Sequence, residues 1–451
     1  MSYLRDNPVF HHVLVLERGD ALWLVPDEGG RWTLPGFVSD EQHTAEVELL
    51  AHHMRARYGL RLAILGTVAS DFDDAANRVY KAYLAEALTD TPAPGRWWPR
   101  PALAAGEAPL GEDAQPLVAR WVTKTLSAGD TAWSRPGWLA EALAWVSAHA
   151  GAVSDVEQVR VSEFSTVIRV VAGGRVRYFK AVAPPAAREP AVTAALARRT
   201  AHVPPVLAVD GARGFLLMEG FAGEPLATGD VAVWADVAAA LGELQRECID
   251  AVGELQALGC EVTRATTLVA PLSAMVTDAD ALLVGEAAGL TTDEVAALRT
   301  LAPRVVADAR ALDAGPLPLT VDHGDLWPSN VLVGPGGCAF VDWEDVRVAH
   351  PFVSAFQLLA GAHLDRRFVD EPAAYTAVRE AYLRGWSAWA PALPLRQAFD
   401  AAHDVAAVAV AASYRRYPPA VVAAHPWMRE MPPFCLRRII TRRAWTDTSP
   451  R

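Results

Sequence analysis

His323-Gly324-Asp325-Leu326-Trp327-Pro328-Ser329-Asn330, followed twelve residues after Asn330 by Asp342-Trp343-Glu344, is the stretch on which the reading of this 451-residue chain turns. An Asp followed five residues later by an Asn, on a loop between apolar runs, sets a proton acceptor beside an amide oxygen able to hold Mg²⁺. A second Asp at the end of the next strand can bind the same metal from the other side. The flanks predict that geometry: residues 317–321, 331–333 and 339–341 are short β-prone apolar runs, and Gly334-Pro335-Gly336-Gly337 reads as a hairpin turn. Asp and Asn also form turns by bonding their own backbone, so either residue alone would be read as a turn former. Polar residues in register across a loop and a hairpin point instead to a phosphoryl-transfer site, where positioning, metal-borne charge neutralisation and one carboxylate near the attacking hydroxyl are the essential parts.

The run HGDLWPSN…FVDWED…HP resembles the aminoglycoside-phosphotransferase and choline-kinase-like family of small-molecule kinases, whose fold is related to that of protein kinases. The resemblance implies Asp325 as catalytic base, Asn330 and Asp342 as Mg²⁺ ligands, and His323 as a structural residue of the catalytic loop. One departure stands out. Family members often carry Asp in the segment after the metal-binding strand, whereas His350-Pro351-Phe352-Val353-Ser354 places Ser354 there, a change expected to weaken a structural hydrogen bond more than catalysis. Glu344 reads equally well as an extra metal carboxylate and as a supporting or surface residue.

A kinase site requires an ATP-cradling lobe upstream, and the chain has its pattern. Residues 158–161, 167–171 and 175–182 are three β-like runs, with Gly173-Gly174 as a two-residue hairpin turn. Lys180, in Tyr-Phe-Lys-Ala-Val, resembles the strand lysine that contacts the α and β phosphates. Glu189 precedes Pro190 and a helical stretch over 191–198, where Pro suits the first turn; Lys180 and Glu189 are the expected ion pair. Alone, Lys180 would read as an exposed strand lysine and Glu189 as a charge favoured by a helix N-terminus. Ser162-Glu163-Phe164-Ser165-Thr166 stands where protein kinases have a Gly-rich loop, so Ser162, Ser165 and Thr166 are candidate phosphate contacts, although an ordinary turn accounts for each equally well. Residues 214–220 read as a buried strand entering a polar break that resembles an adenine-binding hinge, flanked by Glu219 and Phe221.

Composition bounds the alternatives. With 52% hydrophobic and 21% charged residues the chain reads as a soluble globular protein of two or three domains. A formal net charge of −12 argues against a nucleic-acid binder and against attachment to an anionic membrane, and mildly favours a cationic substrate. No signal core opens the chain and no apolar run approaches 18 residues, so cytoplasmic residence is expected. Cys248, Cys260, Cys338 and Cys435 show no C-x-x-C pairing and read as buried reduced thiols.

Along the chain, residues 91–116 are Pro-rich and read as a linker whose Trp97 and Trp98 pack on a neighbour. Trp138, Leu139, Ala142, Trp145 and Val146 form an apolar face at helical spacing, read as a connector. Residues 231–314 and 373–417 carry the helical period of a mostly helical C-lobe. Upstream, strand, turn, strand, loop, helix (45–57), strand, strand, with Leu34-Pro35-Gly36-Phe37 and a helix ending in Tyr58-Gly59-Leu60, resembles a Nudix hydrolase domain. The positions that should carry its metal-binding glutamates hold His53, Ala56 and Arg57, and the usual Arg position is His52. Glu41, Glu46 and Glu48 are off register and read as a solvated face; His52 and His53, being adjacent, point to different sides of a helix and read poorly as metal ligands.

The expectation is an α+β chain: a degenerate Nudix-like α/β domain over residues 1–90, a Pro-rich linker and helical connector over 91–150, and a bilobal protein-kinase-like fold with a β-rich N-lobe (151–222) and a mostly helical C-lobe (223–451). Its expected activity is ATP- and Mg²⁺-dependent phosphorylation of a hydroxyl on a small molecule such as an amino sugar or amino alcohol. The alternatives are a catalytically silent nucleotide-binding module and, with its acidic helix cluster missing, a Nudix-type diphosphate hydrolase. Asp345, Asp365, Asp370, His403, Asp404 and Tyr414 are unranked candidates for the acceptor pocket.

Overall fold

A computed structural model of the chain describes residues 9–39, 46–73, 77–89, 95–226, 230–360, 372–424 and 426–446. These fall into two compact units, one built from residues 4–187 and 207–220, the other mainly from residues 188–206 and 221–451.

The first unit holds two sheets. β1 (Val9–Arg18), β2 (Ala21–Pro26), β3 (Trp32–Thr33), β4 (Gly36–Ser39), β5 (Leu62–Asp73), β6 (Arg78–Ala87) and β7 (Arg96–Pro99) make a seven-stranded sheet in the order β3-β2-β1-β6-β5, with β4 also on β1 and β7 on β2. β1 runs parallel to β6, from Val9 opposite Arg78 to Glu17 opposite Glu86. Leu14 and Leu16 enter one core and Val15 another, so this central strand is covered on both faces, as near-continuous apolar strands require. A helix over Glu48–Tyr58 ends at Gly59, whose φ of 64° supplies the left-handed stop. The Pro-rich stretch read as a linker contributes β7: Trp98 sits opposite Leu22 and is buried, which is why two tryptophans lie in it.

The second sheet is wholly antiparallel, with β8 (Val153–Val161), β9 (Ser165–Ala172), β10 (Arg175–Val182), β11 (Val206–Asp210) and β12 (Phe215–Glu219) in the order β11-β12-β10-β9-β8. Gly173 and Gly174 take φ of 56° and 76°, the two left-handed residues of the tight turn expected between β9 and β10. The helix Trp138–Ala150 buries the predicted face of Trp138, Leu139, Ala142, Trp145 and Val146. Trp145 meets Phe179 and Phe215 edge-on, at 5.8 and 5.4 Å between ring centroids. One apolar core runs from Leu14 and Met54 through Trp138 to Phe179 and Leu217, so β1, the helices Glu48–Tyr58 and Trp138–Ala150 and the second sheet share one core. The buried Gln158 on β8 reinforces this, accepting from Ile64 N at 2.7 Å and donating to Ile64 O at 3.1 Å.

The other unit is mostly helical. Its long helices are Val231–Glu247, Thr292–Asp313, Pro372–Arg384, Ala392–Tyr414 and Met431–Thr446. Thr291 and Glu294 form a reciprocal cap at the start of the second of these, at 3.1 and 2.8 Å. Two small sheets lie among the helices: β13 (Glu224–Pro225) with β15 (Val331–Gly334) and β16 (Gly337–Phe340), and β14 (Thr320–Asp322) with β17 (Arg347–Ala349). The runs predicted around the decisive stretch thus form β14 to β16, and Gly334 pairs with Gly337 across the predicted turn. Gln245 fixes β14 from the helix Val231–Glu247, donating to Pro351 O at 2.7 Å while its carbonyl accepts from the Thr320 hydroxyl at 2.5 Å. All four cysteines are free and buried, as expected. Among the described residues no helix is long and apolar enough to cross a membrane.

Candidate active site

β14 delivers the chain to His323, and β15 carries it away after a single 3₁₀ turn at Pro328–Asn330, so Asp325 and Asn330 sit at the two ends of one short loop. Gly324 opens that loop with φ of 83°, and a side chain there would meet Asp345 O at 2.2 Å, so only glycine fits. The loop is held from several sides. His323 N donates to Ser354 Oγ at 3.0 Å, and His323 Nε2 lies 2.9 Å from Val341 O, tying the loop to the residue before Asp342. The His323 ring also packs on Trp343 at 4.4 Å. The structural role implied for His323 is the one these contacts describe.

Asn330 Nδ2 donates to Asp325 O at 2.8 Å and to Asp325 Oδ2 at 3.3 Å. The other carboxylate oxygen, Asp325 Oδ1, accepts from Gln357 Nε2 at 3.1 Å, while Gln357 Oε1 accepts from Leu326 N at 3.2 Å. Both oxygens of Asp325 are therefore aimed by side-chain amides. Gln357 was missed in the sequence, where a lone Gln in the apolar run Ala355–Ala360 carries no motif.

Asp342 reaches the same region through the hairpin, since Val331 pairs with Phe340 and Val341 N donates to Asn330 O at 3.0 Å. Its φ of 71° makes it one of four non-glycine residues with left-handed backbone among the described residues, a conformation Asp tolerates better than most and one that clusters at functional positions. Oxygens of Glu189, Asp342 and Glu344 lie within 4.8 Å of one another. Glu189 opens the helix Glu189–Ala197, is 1% exposed, and accepts from Trp343 N at 3.2 Å. Glu344 thus stands beside Glu189 and Asp342 rather than on a remote surface.

The remaining predicted residues are placed as follows. Lys180 is buried on β10, between Val167 of β9 and Leu216 of β12. The hydroxyls at the start of β9 are engaged with the turn itself: Ser162 Oγ accepts from Phe164 N and Ser165 N at 3.2 and 3.1 Å, Thr166 Oγ1 donates to Arg160 O at 3.0 Å, and Ser165 and Thr166 are buried. Glu219 ends β12 with Arg177 3.6 Å away, and half-buried Phe221 follows it, its carbonyl accepting from Gly223 N at 3.1 Å. In the helix Glu48–Tyr58, His53 stacks on Phe37 at 4.0 Å, an aromatic packing role, while His52 is exposed. Glu41, Asp365 and Asp370 lie outside the described residues.

Of the acceptor-pocket candidates, Tyr414 is singled out. The Trp327 and Asp325 side chains are near enough to act electrostatically on its phenol, and its ring meets Tyr417 and Trp427, each at 5.9 Å. Burial, with a smaller contribution from Asp325, holds the Tyr414 phenol well above its usual range, so it stays protonated. His403 and Asp404 are buried within the helix Ala392–Tyr414, His403 Nδ1 lying 3.1 Å from Phe399 O.

Residues 155–395, more than half of the chain, match the family described as "APH: Phosphotransferase enzyme family". This chain belongs to that phosphotransferase family. The matched span of the phosphotransferase holds Lys180, Glu189, Asp325, Asn330 and Asp342, and begins within β8. Solved structures resembling it include a choline/ethanolamine kinase family protein from Mesorhizobium loti (17% identity, 67% of this chain and 94% of that one, TM-score 0.47). A macrolide 2'-phosphotransferase from Brachybacterium faecium (17%, 67% and 98%, 0.46) and a choline kinase from Cryptosporidium parvum (12%, 69% and 93%, 0.46) are similar to the same degree. No curated protein matches the chain.

Proposed function

We propose that this phosphotransferase moves the terminal phosphoryl group of ATP onto a hydroxyl of a small molecule, with Mg²⁺ as the resident metal. The observation that carries the proposal is the double aiming of Asp325: with Asn330 on one oxygen and Gln357 on the other, its carboxylate is fixed in direction as a proton acceptor must be. Asp325 takes the proton of the acceptor hydroxyl as the hydroxyl oxygen bonds the γ-phosphorus and the bond to the β-phosphate oxygen breaks, with ADP leaving. Lys180 meets the α and β phosphates, and Glu219 and Phe221 flank the backbone that bonds adenine. Ser162, Ser165 and Thr166 shape the turn that would meet the phosphates, the hydroxyls of Ser162 and Thr166 being tied to backbone.

The donor set fits Mg²⁺. Asn330 has its amide nitrogen on Asp325, which leaves the amide oxygen to take a cation, and the neighbouring oxygens of Asp342, Glu344 and Glu189 are the hard ligands a small divalent ion selects. Three carboxylates this close repel one another strongly in a partly buried setting, and a dication removes that repulsion. When bound it neutralises charge developing on the phosphates; Asn330 and Asp342 hold it, and Glu344 and Glu189 supply negative charge around it.

On the acceptor side, Tyr414 lies within electrostatic reach of Asp325, and the net charge of −12 favours a cationic acceptor such as an amino sugar or amino alcohol. The test is ATP consumption against a panel of amino sugars, aminoglycosides and amino alcohols, with Asp325→Asn as control. Turnover with one acceptor, lost in the variant, is the expected result. Nucleotide binding with no turnover on any acceptor would favour a silent regulatory module instead.

A further inference from the structure

We propose that Asp322 is a positioning residue of the phosphoryl-transfer loop, and that it supplies from the strand the carboxylate that Ser354 lacks. The inference rests on the reading of Asp325 as base, because Asp322 would act through the loop that carries it. Asp322 is the last residue of β14 and is 1% exposed. Its Oδ1 accepts from the Ser354 hydroxyl at 2.5 Å and its Oδ2 from Arg347 Nε at 2.6 Å. The Ser354 oxygen in turn accepts from His323 N at 3.0 Å, so carboxylate, hydroxyl and backbone amide form a relay ending at the first residue of the loop.

The buried charge is balanced. Arg347 comes from β17, whose Arg347 pairs with Asp322 across the two-stranded sheet, so guanidinium and carboxylate are set by the register of the strands. A buried carboxylate with an ion-pair partner and a hydroxyl donor is a stiff anchor; stripped of either, it is costly to keep. Ser354 alone is too short and too weakly polar to hold His323 N in one position. Linked to Asp322, its hydroxyl hydrogen is directed away and its lone pair is turned to the amide. The relay fixes where His323 starts, and the Asp325 carboxylate, two residues on, inherits that placement.

The relay has a distinctive consequence: its carboxylate can sit at either end. Asp322→Ser, Ser354→Asp and the exchange Asp322→Ser/Ser354→Asp are compared for Tm and, well below Tm, for kcat and nucleotide Kd. Each single variant is expected to lower Tm and to reduce kcat roughly tenfold or more with Kd unchanged, as loss of a charge-assisted bond implies. The exchange is expected to recover part of both, since it restores the carboxylate–hydroxyl bond while Arg347 stays opposite position 322. An exchange no better than the sum of its parts, or an Asp322→Ser enzyme with full kcat, would overturn the proposal. Tm coupling is read without turnover, so a wild-type chain inactive on every acceptor, yet showing the coupling, would refute the assigned activity and leave the pairing standing.

Discussion

Asn330 donates its side-chain amide to Asp325, at 2.8 Å to the carbonyl and 3.3 Å to the carboxylate, so the proposed metal ligand and the proposed base hold each other in place. Replacing either disturbs both, and the variants separate by what remains. Asp325→Asn is expected to retain nucleotide binding and lose about 10³-fold in kcat, the range assigned to a positioned general base. Nucleotide Kd and single-turnover rates decide it; a variant with normal turnover refutes the base assignment.

Asn330→Ala keeps the carboxylate of Asp342 and so is expected to need roughly tenfold more Mg²⁺ for half-maximal rate, with partial recovery at saturation. Asp342→Asn removes the charged ligand and should not recover at any Mg²⁺ concentration. Rate against Mg²⁺ for the two variants checks this; identical curves would remove the distinction between the ligands.

Gln357 holds the other oxygen of Asp325. Gln357→Leu removes the amide that aims that oxygen of the half-buried carboxylate, and kcat should fall about tenfold with the nucleotide KM unchanged, in line with the loss of one hydrogen bond to a charged group. A changed nucleotide KM with constant kcat would assign Gln357 to substrate binding instead.

The decisive loop and hairpin were legible in sequence because each depends on local chemistry. Asp325, Asn330 and Asp342 lie within eighteen residues, and Gly334 to Gly337 dictates the turn that brings Asp342 back to Asn330. Gly173-Gly174 and the Trp138 to Val146 face were legible for the same reason. What escaped notice is set by tertiary packing. Gln357, Arg347 and Asp322 have no spacing signature, and only the pairing of β14 with β17 sets Arg347 against Asp322. Ser354 by itself implies a weakened hydrogen bond; in the fold its hydroxyl donates to Asp322. Likewise residues 96–99 looked like linker because their prolines are local, while the β2 strand that recruits them is some seventy residues away.

The Tyr414 phenol lies within electrostatic reach of Asp325 and Trp327. Tyr414→Ala is expected to raise the acceptor KM about tenfold or more and to leave the nucleotide KM near wild type, the asymmetry that marks an acceptor-side residue. Equal effects on both substrates would place Tyr414 in the general core.

His350 is deeply buried, and burial pushes its imidazole down to about 4, Asp313 opposing only in part. The folded state therefore binds this proton less readily than the unfolded chain, with its ordinary value of 6.5. Stability from this group is complete above pH 6.5 and is lost as pH falls towards 4, amounting to about 3 kcal/mol. Tm measured from pH 7 to 4 should decline, and His350→Asn, which keeps an acceptor for Phe352 N, should flatten that decline. An unchanged slope would show that other groups govern acid unfolding.

The side chain of Gln158 answers both the N–H and the C=O of Ile64, as a neighbouring strand would. A version of this enzyme trimmed to the catalytic family span would strip that amide of its partners and uncover Ile168, Phe179 and Phe215, so excision should give aggregated or insoluble material rather than a minimal kinase. The helix Trp138–Ala150 and the residues of β1 and β5 that share its core are, in effect, the missing half of the sheet that carries Lys180.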